Sequence, residues 1–140
     1  MKKSLILACI LTFALVGTAS AEQVYPKAKL NEWNRENVAG GTGPLYGNFA
    51  FVRTDAPAGD AIKEAGWMTL KPGGSVGLHK HEVNEEVYII VSGEGLFMST
   101  DGTETKVAAG DIAMCRKGES HGLRNTGKED LVFIGVVAQQ

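Results

Sequence analysis

The chain has 140 residues, of which 16 are acidic and 14 basic, and its formal net charge is −2. This length suits a single domain, which would bury about two-thirds of the surface of its unfolded chain. The slightly acidic balance argues against nucleic acid or an anionic membrane surface as a partner, because both are bound through basic patches.

The first 21 residues differ from the rest of the chain. Residues 1–3 make a basic start, residues 5–16 form an almost unbroken apolar run, and residues 19–21 supply the small side chains of an A-x-A cleavage site. This pattern is typical of a secretory signal peptide. The apolar run is shorter than the roughly 20 residues that span a bilayer. We therefore expect cleavage after Ala21 and a periplasmic or secreted protein without a membrane anchor.

Residues 22–46 form a polar N-terminal arm that is rich in Asn and Gly. One interpretation is a flexible segment left after cleavage. The other is that Tyr25, Leu30 and Trp33 dock on the following domain or on a neighbouring subunit, with one turn of helix over residues 30–37. Docking is favoured, because three large apolar side chains are costly to leave in water.

From Gly47 onward the chain consists of short β-rich runs separated by Gly, Pro, Asn and Asp. Such spacing predicts an all-β sandwich or barrel over residues 47–140. The predicted strands cover residues 49–53, 67–70, 75–81, 86–92, 96–100, 103–108, 111–116, 120–125 and 131–138.

Two histidines share one of these predicted strands. Successive side chains of an extended strand alternate between faces, so His79 and His81 point to the same side and Lys80 points away. The pair can therefore share one metal ion. A turn at residues 82–84 would bring the next strand back beside the first, so that Glu86 at its start faces the same cavity.

The third histidine, His121, lies forty residues beyond His81. A lone strand histidine is more often a hydrogen-bonded polar residue than a ligand. Here, however, two of the three histidines are paired in register with a carboxylate nearby. This combination predicts a metal site that includes His121, with Glu85 as the alternative carboxylate to Glu86.

The same residues resemble the motifs of the cupin family. Residues 73–125 are similar to the small single-domain cupins, with flanking strands from 47 to 138. The second motif usually has a proline where this chain has Arg116. The matching spacings are Gly73-x5-His79-x-His81-x4-Glu86-x6-Gly93 for the first motif and Gly110-x7-Gly118-x2-His121-x3-Asn125 for the second.

The resemblance implies a double-stranded β-helix, a jelly-roll barrel whose mouth holds a metal ion. It assigns His79, His81, Glu86 and His121 as the ligands. Three imidazoles and a carboxylate suit Mn, Fe, Ni, Co or Zn rather than Ca or Mg. On a six-coordinate ion this set leaves two positions open, which favours a functional metal over a purely structural one.

Several large side chains are candidates for the wall of a pocket beside the metal. Tyr88 and Ile90 share the face of Glu86 if the strand is regular, although both are equally suited to the barrel core. Arg53 and Arg116 are either anion contacts or solvated surface groups. The remaining pocket candidates, each also suited to the core, are Trp67, Phe97, Met114 and Phe133.

Two classes of function stay open at this point. A metal-dependent enzyme would coordinate a small carboxylate- or hydroxyl-bearing substrate, as similar cupins that are dioxygenases, decarboxylases or isomerases do. The sequence places no further acid or base beside the open positions. A binding or sensing protein would instead capture a small carboxylate or sugar without turnover, and the fold alone does not decide between them. We also expect a homodimer, because a small barrel exposes sheet edges and one apolar sheet face.

Overall fold

The computed structural model describes residues 24–139, so the predicted signal peptide lies outside the described residues. Within this range no helix is long and apolar enough to cross a membrane. Two 3-10 helices are present, Lys27–Lys29 and Val38–Gly40. The strands are β1 (Asn31–Glu32), β2 (Arg35–Glu36), β3 (Pro44–Phe51), β4 (Ile62–Leu70), β5 (Ser75–Lys80), β6 (Glu85–Ser92), β7 (Glu94–Ser99), β8 (Glu104–Ala108), β9 (Ile112–Cys115), β10 (Ser120–Asn125) and β11 (Leu131–Ala138).

These strands form two antiparallel sheets. The larger sheet has seven strands in the order β1-β3-β4-β11-β6-β9, with β2 also paired to β3, and the smaller has the order β5-β10-β7-β8. Buried apolar side chains from both sheets make one core cluster. The architecture is therefore the all-β double-stranded β-helix that was predicted, a jelly-roll barrel.

Strict alternation of side chains sets the inner face of the larger sheet. In β11 every second residue from Leu131 to Val137 is buried, and in β4 the inward positions run from Glu64 to Leu70. A slip of one residue would move a whole set of core side chains into water. Each fully buried Leu or Phe contributes roughly 1.5–3 kcal/mol, so burial fixes the register of these strands.

The outer face of the larger sheet is apolar as well. Trp67, Ile134, Ile89 and Ile112 are cross-strand neighbours in one row across β4, β11, β6 and β9. Trp67 is 44% exposed and Ile112 is 67% exposed. This is the kind of apolar face on which the expectation of a homodimer was based, and the homodimer stays a prediction.

The strand that follows β5 in the chain, β6, is not its neighbour in a sheet, although the sequence suggested that it would be. The expectation that β6 returns beside β5 is wrong, because β5 pairs with β10 in the smaller sheet and β6 pairs with β11 and β9 in the larger one. Residues 81–84 therefore carry the chain from one sheet to the other. Side chains of β5 and β6 meet face to face across the barrel interior instead of side by side.

Residues 31–43, named the strap below, link an edge of each sheet. The expected helical turn over residues 30–37 is wrong, because β1 and β2 pair with β3 instead. At its other end Thr42 exchanges two backbone hydrogen bonds with Ser75 of β5, at 3.2 and 2.9 Å.

Aromatic side chains fix the N-terminal arm to the barrel. The backbone N–H of Trp33 donates to the carbonyl of Gly47 at 2.9 Å, and the indole packs edge-on against Phe49 with ring centroids 5.2 Å apart. Tyr25 packs against Phe51 with centroids 5.7 Å apart. Docking of the arm, the second of the two interpretations, is therefore confirmed for these two side chains.

Candidate metal centre

Three strands and one turn bring the predicted ligands together. His79 of β5 lies directly opposite His121 of β10 in the smaller sheet, while Glu86 reaches in from β6 of the larger sheet. His81 follows β5, and its backbone N–H donates to the carbonyl of Glu119 at 2.9 Å. One ligand atom from each of the four side chains lies within 4.8 Å of all the others.

The spacing of these atoms fits a metal ion. Nε2 of His81 is 3.2 Å from Nε2 of His79 and 3.0 Å from Nε2 of His121. Oε2 of Glu86 is 3.0 Å from Nε2 of His121 and 3.2 Å from Nε2 of His81. Metal–nitrogen bonds of about 2.1 Å place neighbouring ligands of a six-coordinate ion about 3.0 Å apart, and tetrahedral ligands about 3.4 Å apart. The observed separations, together with the 3.8 Å between Nε2 of His79 and Oε2 of Glu86, lie in the range that a single ion bridges.

Hydrogen bonds orient two of the imidazole rings. Nδ1 of His79 donates to the carbonyl of Gly77 at 2.9 Å, and Nδ1 of His81 donates to Oδ1 of Asn84 at 2.6 Å. With the proton on Nδ1, the Nε2 lone pair of each ring points into the cluster. Two lone pairs 3.2 Å apart repel each other, so the arrangement calls for a cation between them. Bonds of this kind also raise the basicity of a metal-binding imidazole.

Aromatic packing orients the third ring. His121 is 1% exposed, and within the described residues its Nδ1 is buried without a hydrogen-bond partner. The imidazole stacks on Tyr88 with ring centroids 4.8 Å apart and meets the edge of Phe97 at 5.5 Å. Its position is therefore set by the core itself, to which Phe133 adds an edge contact with Tyr88 at 4.7 Å.

The electrostatics of the cluster favour an ionised carboxylate. Burial alone would raise the pKa of Glu86, but its contacts with His121, His79 and His81 outweigh burial and hold this pKa well below the usual range. At His79 burial lowers the pKa, and the contacts with Glu86 and with the Gly77 carbonyl more than reverse this. At His121 burial dominates and lowers the pKa. A negative carboxylate ringed by imidazoles is a donor set for a divalent transition metal.

The two neighbouring glutamates have different surroundings. Glu86 is 5% exposed and faces inward. Glu85 faces the other way, and its Oε2 accepts a hydrogen bond from Nη1 of Arg116 at 3.2 Å in an exposed ion pair. The geometry therefore places Glu86, and not Glu85, among the candidate ligands, and it places Arg116 outside the site.

One side of the cluster opens into a cavity of about 510 Å³. His79 and Glu86 line this cavity, whereas His81 and His121 are buried behind them. Two ligands therefore face the cavity. This is the arrangement expected of a metal site with positions left for a ligand.

The six candidate pocket residues divide into three groups. Tyr88 lines the cavity beside Glu86. Ile90, Phe97 and Phe133 are buried core residues, and Phe97 also supports the ring of His121. The last two lie elsewhere, Trp67 on the outer face of the larger sheet and Met114 at the surface, 41% exposed.

Three charged residues of the cavity lining were not assigned from the sequence. Arg35 and Glu64 were missed, and Arg53 was left with two interpretations. Arg35 of the strap, Arg53 after β3, and Glu64 of β4 all line the cavity. Nε of Arg53 is 3.7 Å from Oε2 of Glu64, which is 7% exposed. Burial raises the pKa of Glu64, Arg53 opposes this, and nearby Glu86 adds to it. Alternation with Met68 in β4 is a signal that puts Glu64 on the inner face, but the sequence gives no such signal for Arg35.

Fold and site together define a small cupin with a candidate metal centre of three histidines and one glutamate. The model of the Cupin domain family matches residues 66–137, and the chain belongs to this family. A curated relative, the oxalate-binding protein of Thermotoga maritima, is 49% identical over 70 residues, which are 50% of this chain and 57% of the relative. That match spans a little more than half of the relative's length.

Solved structures share the fold over most of the described chain. The crystal structure of a predicted oxalate decarboxylase from Thermotoga maritima matches with a TM-score of 0.75 and 33% identity, covering 84% of this chain and 99% of that one. An uncharacterized conserved protein with a double-stranded beta-helix domain from Klebsiella pneumoniae matches with a TM-score of 0.63, covering 84% of this chain and 90% of that one. Its identity is 22%, so this second likeness concerns the fold alone.

Proposed function

We propose that this cupin binds a small carboxylate at a divalent transition metal held by His79, His81, Glu86 and His121. The observation that carries the proposal is the convergence of these four side chains at one wall of a cavity that also contains two arginines. A metal bound there would supply a Lewis acid that orients and polarises a coordinated carboxylate. Mn, Fe, Ni, Co and Zn all suit the donor set.

The charges in the cavity favour an anionic ligand. Arg35 and Arg53 balance the charges of Glu64 and Glu86, so the two positive charges of a divalent ion are left for the ligand to neutralise. Without the ion this balance gives no net attraction for an anion. The proposal therefore includes the statement that carboxylate binding depends on the metal. Neutral sugars, the other ligand class considered from the sequence, would leave this positive charge unneutralised.

The relatives agree with this ligand class. The curated match is described as an oxalate-binding protein and the structural match as a predicted oxalate decarboxylase, both from Thermotoga maritima. Both descriptions concern a small carboxylate. They apply to those proteins, and they support the choice of oxalate as the first compound to test here.

Turnover is the second candidate function, and one observation favours it. An oxygenase, decarboxylase or isomerase acting on the bound carboxylate would use an acid or base near the open side of the metal. Glu64 lies in the same cavity and is buried, and its raised pKa brings it closer to the range in which a carboxylate takes up and releases protons during turnover. Formation of CO2 or formate from oxalate by the metal-loaded protein, and its loss in Glu64→Gln, would support this candidate.

Calorimetry with and without metal tests the binding proposal. The metal content of the isolated protein is measured first, and oxalate is then titrated into the metal-loaded and chelator-treated forms. We expect saturable binding by the loaded form and at least a tenfold weaker response from the stripped form. Equal binding by both forms, or by neither, would contradict the proposed function.

A further inference from the structure

The cavity is larger than oxalate requires. Its volume of about 510 Å³ falls within the roughly 300–1,000 Å³ of pockets that hold drug-sized ligands. Oxalate consists of two directly joined carboxylates and fills only a small part of such a space. Both of its carboxylates would also fit on the metal, which would leave the two arginines that line the cavity without a role in binding.

The lining of the cavity also includes two arginine side chains, and each of them has a partner within the described chain. The guanidinium carbon of Arg35 lies 3.1 Å from the centroid of the Trp33 ring, so the strap positions it by a cation–π contact. Arg53 forms an ion pair with Glu64, and its Nε lies 3.7 Å from Oε2 of that residue. Planar guanidinium groups donate two parallel hydrogen bonds to a carboxylate, and fixing them beforehand lowers the entropy lost on binding.

The strap itself is packed tightly against the ligand-bearing strand. A Cβ atom added to Gly77 of β5 would collide with the carbonyl of Ala39, and one added to Gly41 would collide with the carbonyl of Ser75. Backbone hydrogen bonds hold both ends of the strap, to β3 and to β5. Arg35 therefore belongs to a fixed wall of the cavity that contains His79.

We propose that the cavity takes a diacid whose two carboxylates are separated by a short carbon chain. One carboxylate binds at the metal beside His79 and Glu86, and the other meets Arg35 and Arg53. This inference rests on the proposed function and names its ligand class. The two arginines then determine specificity, because they distinguish a diacid from a monoacid of similar size.

The test compares three probes by calorimetry on the Mn²⁺-loaded protein: oxalate, succinate and propionate. We expect wild-type protein to bind succinate at least tenfold more tightly than propionate, whereas the affinity for oxalate, with both carboxylates on the metal, should change little in the arginine variants. In Arg35→Gln and Arg53→Gln the preference for succinate over propionate should fall to about threefold or less. The affinity for propionate should change little, because its single carboxylate stays at the metal.

Arg124→Gln is the matched control. Arg124 forms an ion pair of the exposed surface with Glu104 at 3.1 Å, outside the cavity, so its loss should leave the preference unchanged. Metal content and melting temperature are measured for every variant, and Arg53→Lys replaces Arg53→Gln if the latter misfolds.

Two results separate this inference from the proposed function. If wild-type protein binds the acids but shows no preference for succinate, or keeps the preference in both arginine variants, the diacid inference is overturned while the metal-dependent function stands. If the loaded protein binds none of the three acids, the proposed function fails and the inference fails with it.

Discussion

The candidate metal ligands and the two arginines beside them are positioned in different ways. The four candidate ligands come from long barrel strands and one adjoining turn, and the three imidazole rings are fixed by hydrogen bonds or by core aromatics. Arg35 and Arg53 come from a two-residue strand and a loop, and both are exposed. Metal coordination tolerates little displacement, so its ligands lie on the rigid core. Groups that meet an incoming ligand lie on connecting segments at the surface.

Removal of His121 should give the largest effect on metal binding. This side chain is fully buried, and its Nε2 lies within 3.0 Å of both His81 and Glu86. We expect His121→Gln and His121→Ala to weaken metal binding by roughly 100-fold or more, because even residues that only support a ligand cost 10–100-fold. Elemental analysis and melting temperature are measured side by side.

Gln keeps most of the volume of His121, so it separates loss of a ligand from the cavity that Ala leaves in the core. Full metal content in both variants would rule out a site of four ligands. Loss of metal with a cooperative thermal transition is the expected pattern, because apolar side chains of both sheets make the barrel core.

The neighbouring residues Glu85 and Glu86 should differ strongly in their effect on metal binding. We expect Glu86→Gln to weaken metal binding at least tenfold, because it removes the charged ligand. Glu85→Gln removes only an exposed ion pair with Arg116, worth about 0–1 kcal/mol, so its metal affinity should stay within about twofold of wild type. Equal losses in the two variants would refute the observed orientation of β6.

The smallest effect concerns Glu64 and is a dependence of stability on pH. Its pKa is raised in the folded protein by burial. The stability that this group contributes is therefore present below its unfolded pKa and lost as pH rises through the folded pKa. The Gln side chain of Glu64→Gln does not titrate. The melting temperature of this variant, relative to that of wild type, should therefore increase as the pH is raised from 4 to 7. A difference that stays constant or shrinks over this range would contradict a buried, proton-binding Glu64.

Most of the candidate metal ligands could be predicted from local sequence, because the two-residue period of a strand is a local property. The period put His79 and His81 on one face, and the turn residues between the runs marked the strands. What local sequence did not provide was the sheet to which each strand belongs. The pairing of β5 with β10 joins residues that lie 40 or more positions apart, and the alternation within either strand does not specify it.

The charged residues that line the cavity, Arg35 and Glu64, were harder to predict than the candidate ligands. Residues 22–46 have no period of two or of 3.6, so nothing in them indicated that β2 would place Arg35 in the cavity. In β4 the inward-facing positions are Glu64, Gly66, Met68 and Leu70, and Gly66 has no side chain to continue the alternating pattern. The predicted strand consequently began at Trp67 and did not include Glu64. Tertiary pairing with β3 overrode the weak helical tendency of residues 30–37.

Gly77 contacts both the strap and the candidate ligand His79, and this limits how the site can vary during evolution. The absence of its side chain lets Ala39 of the strap lie against β5, while its carbonyl accepts the Nδ1 proton of His79. Elsewhere the ligand set and the strap can change independently. A substitution at Gly77 would instead alter both at once, so variants there should show strong epistasis with changes at Arg35 as well as with changes at His79.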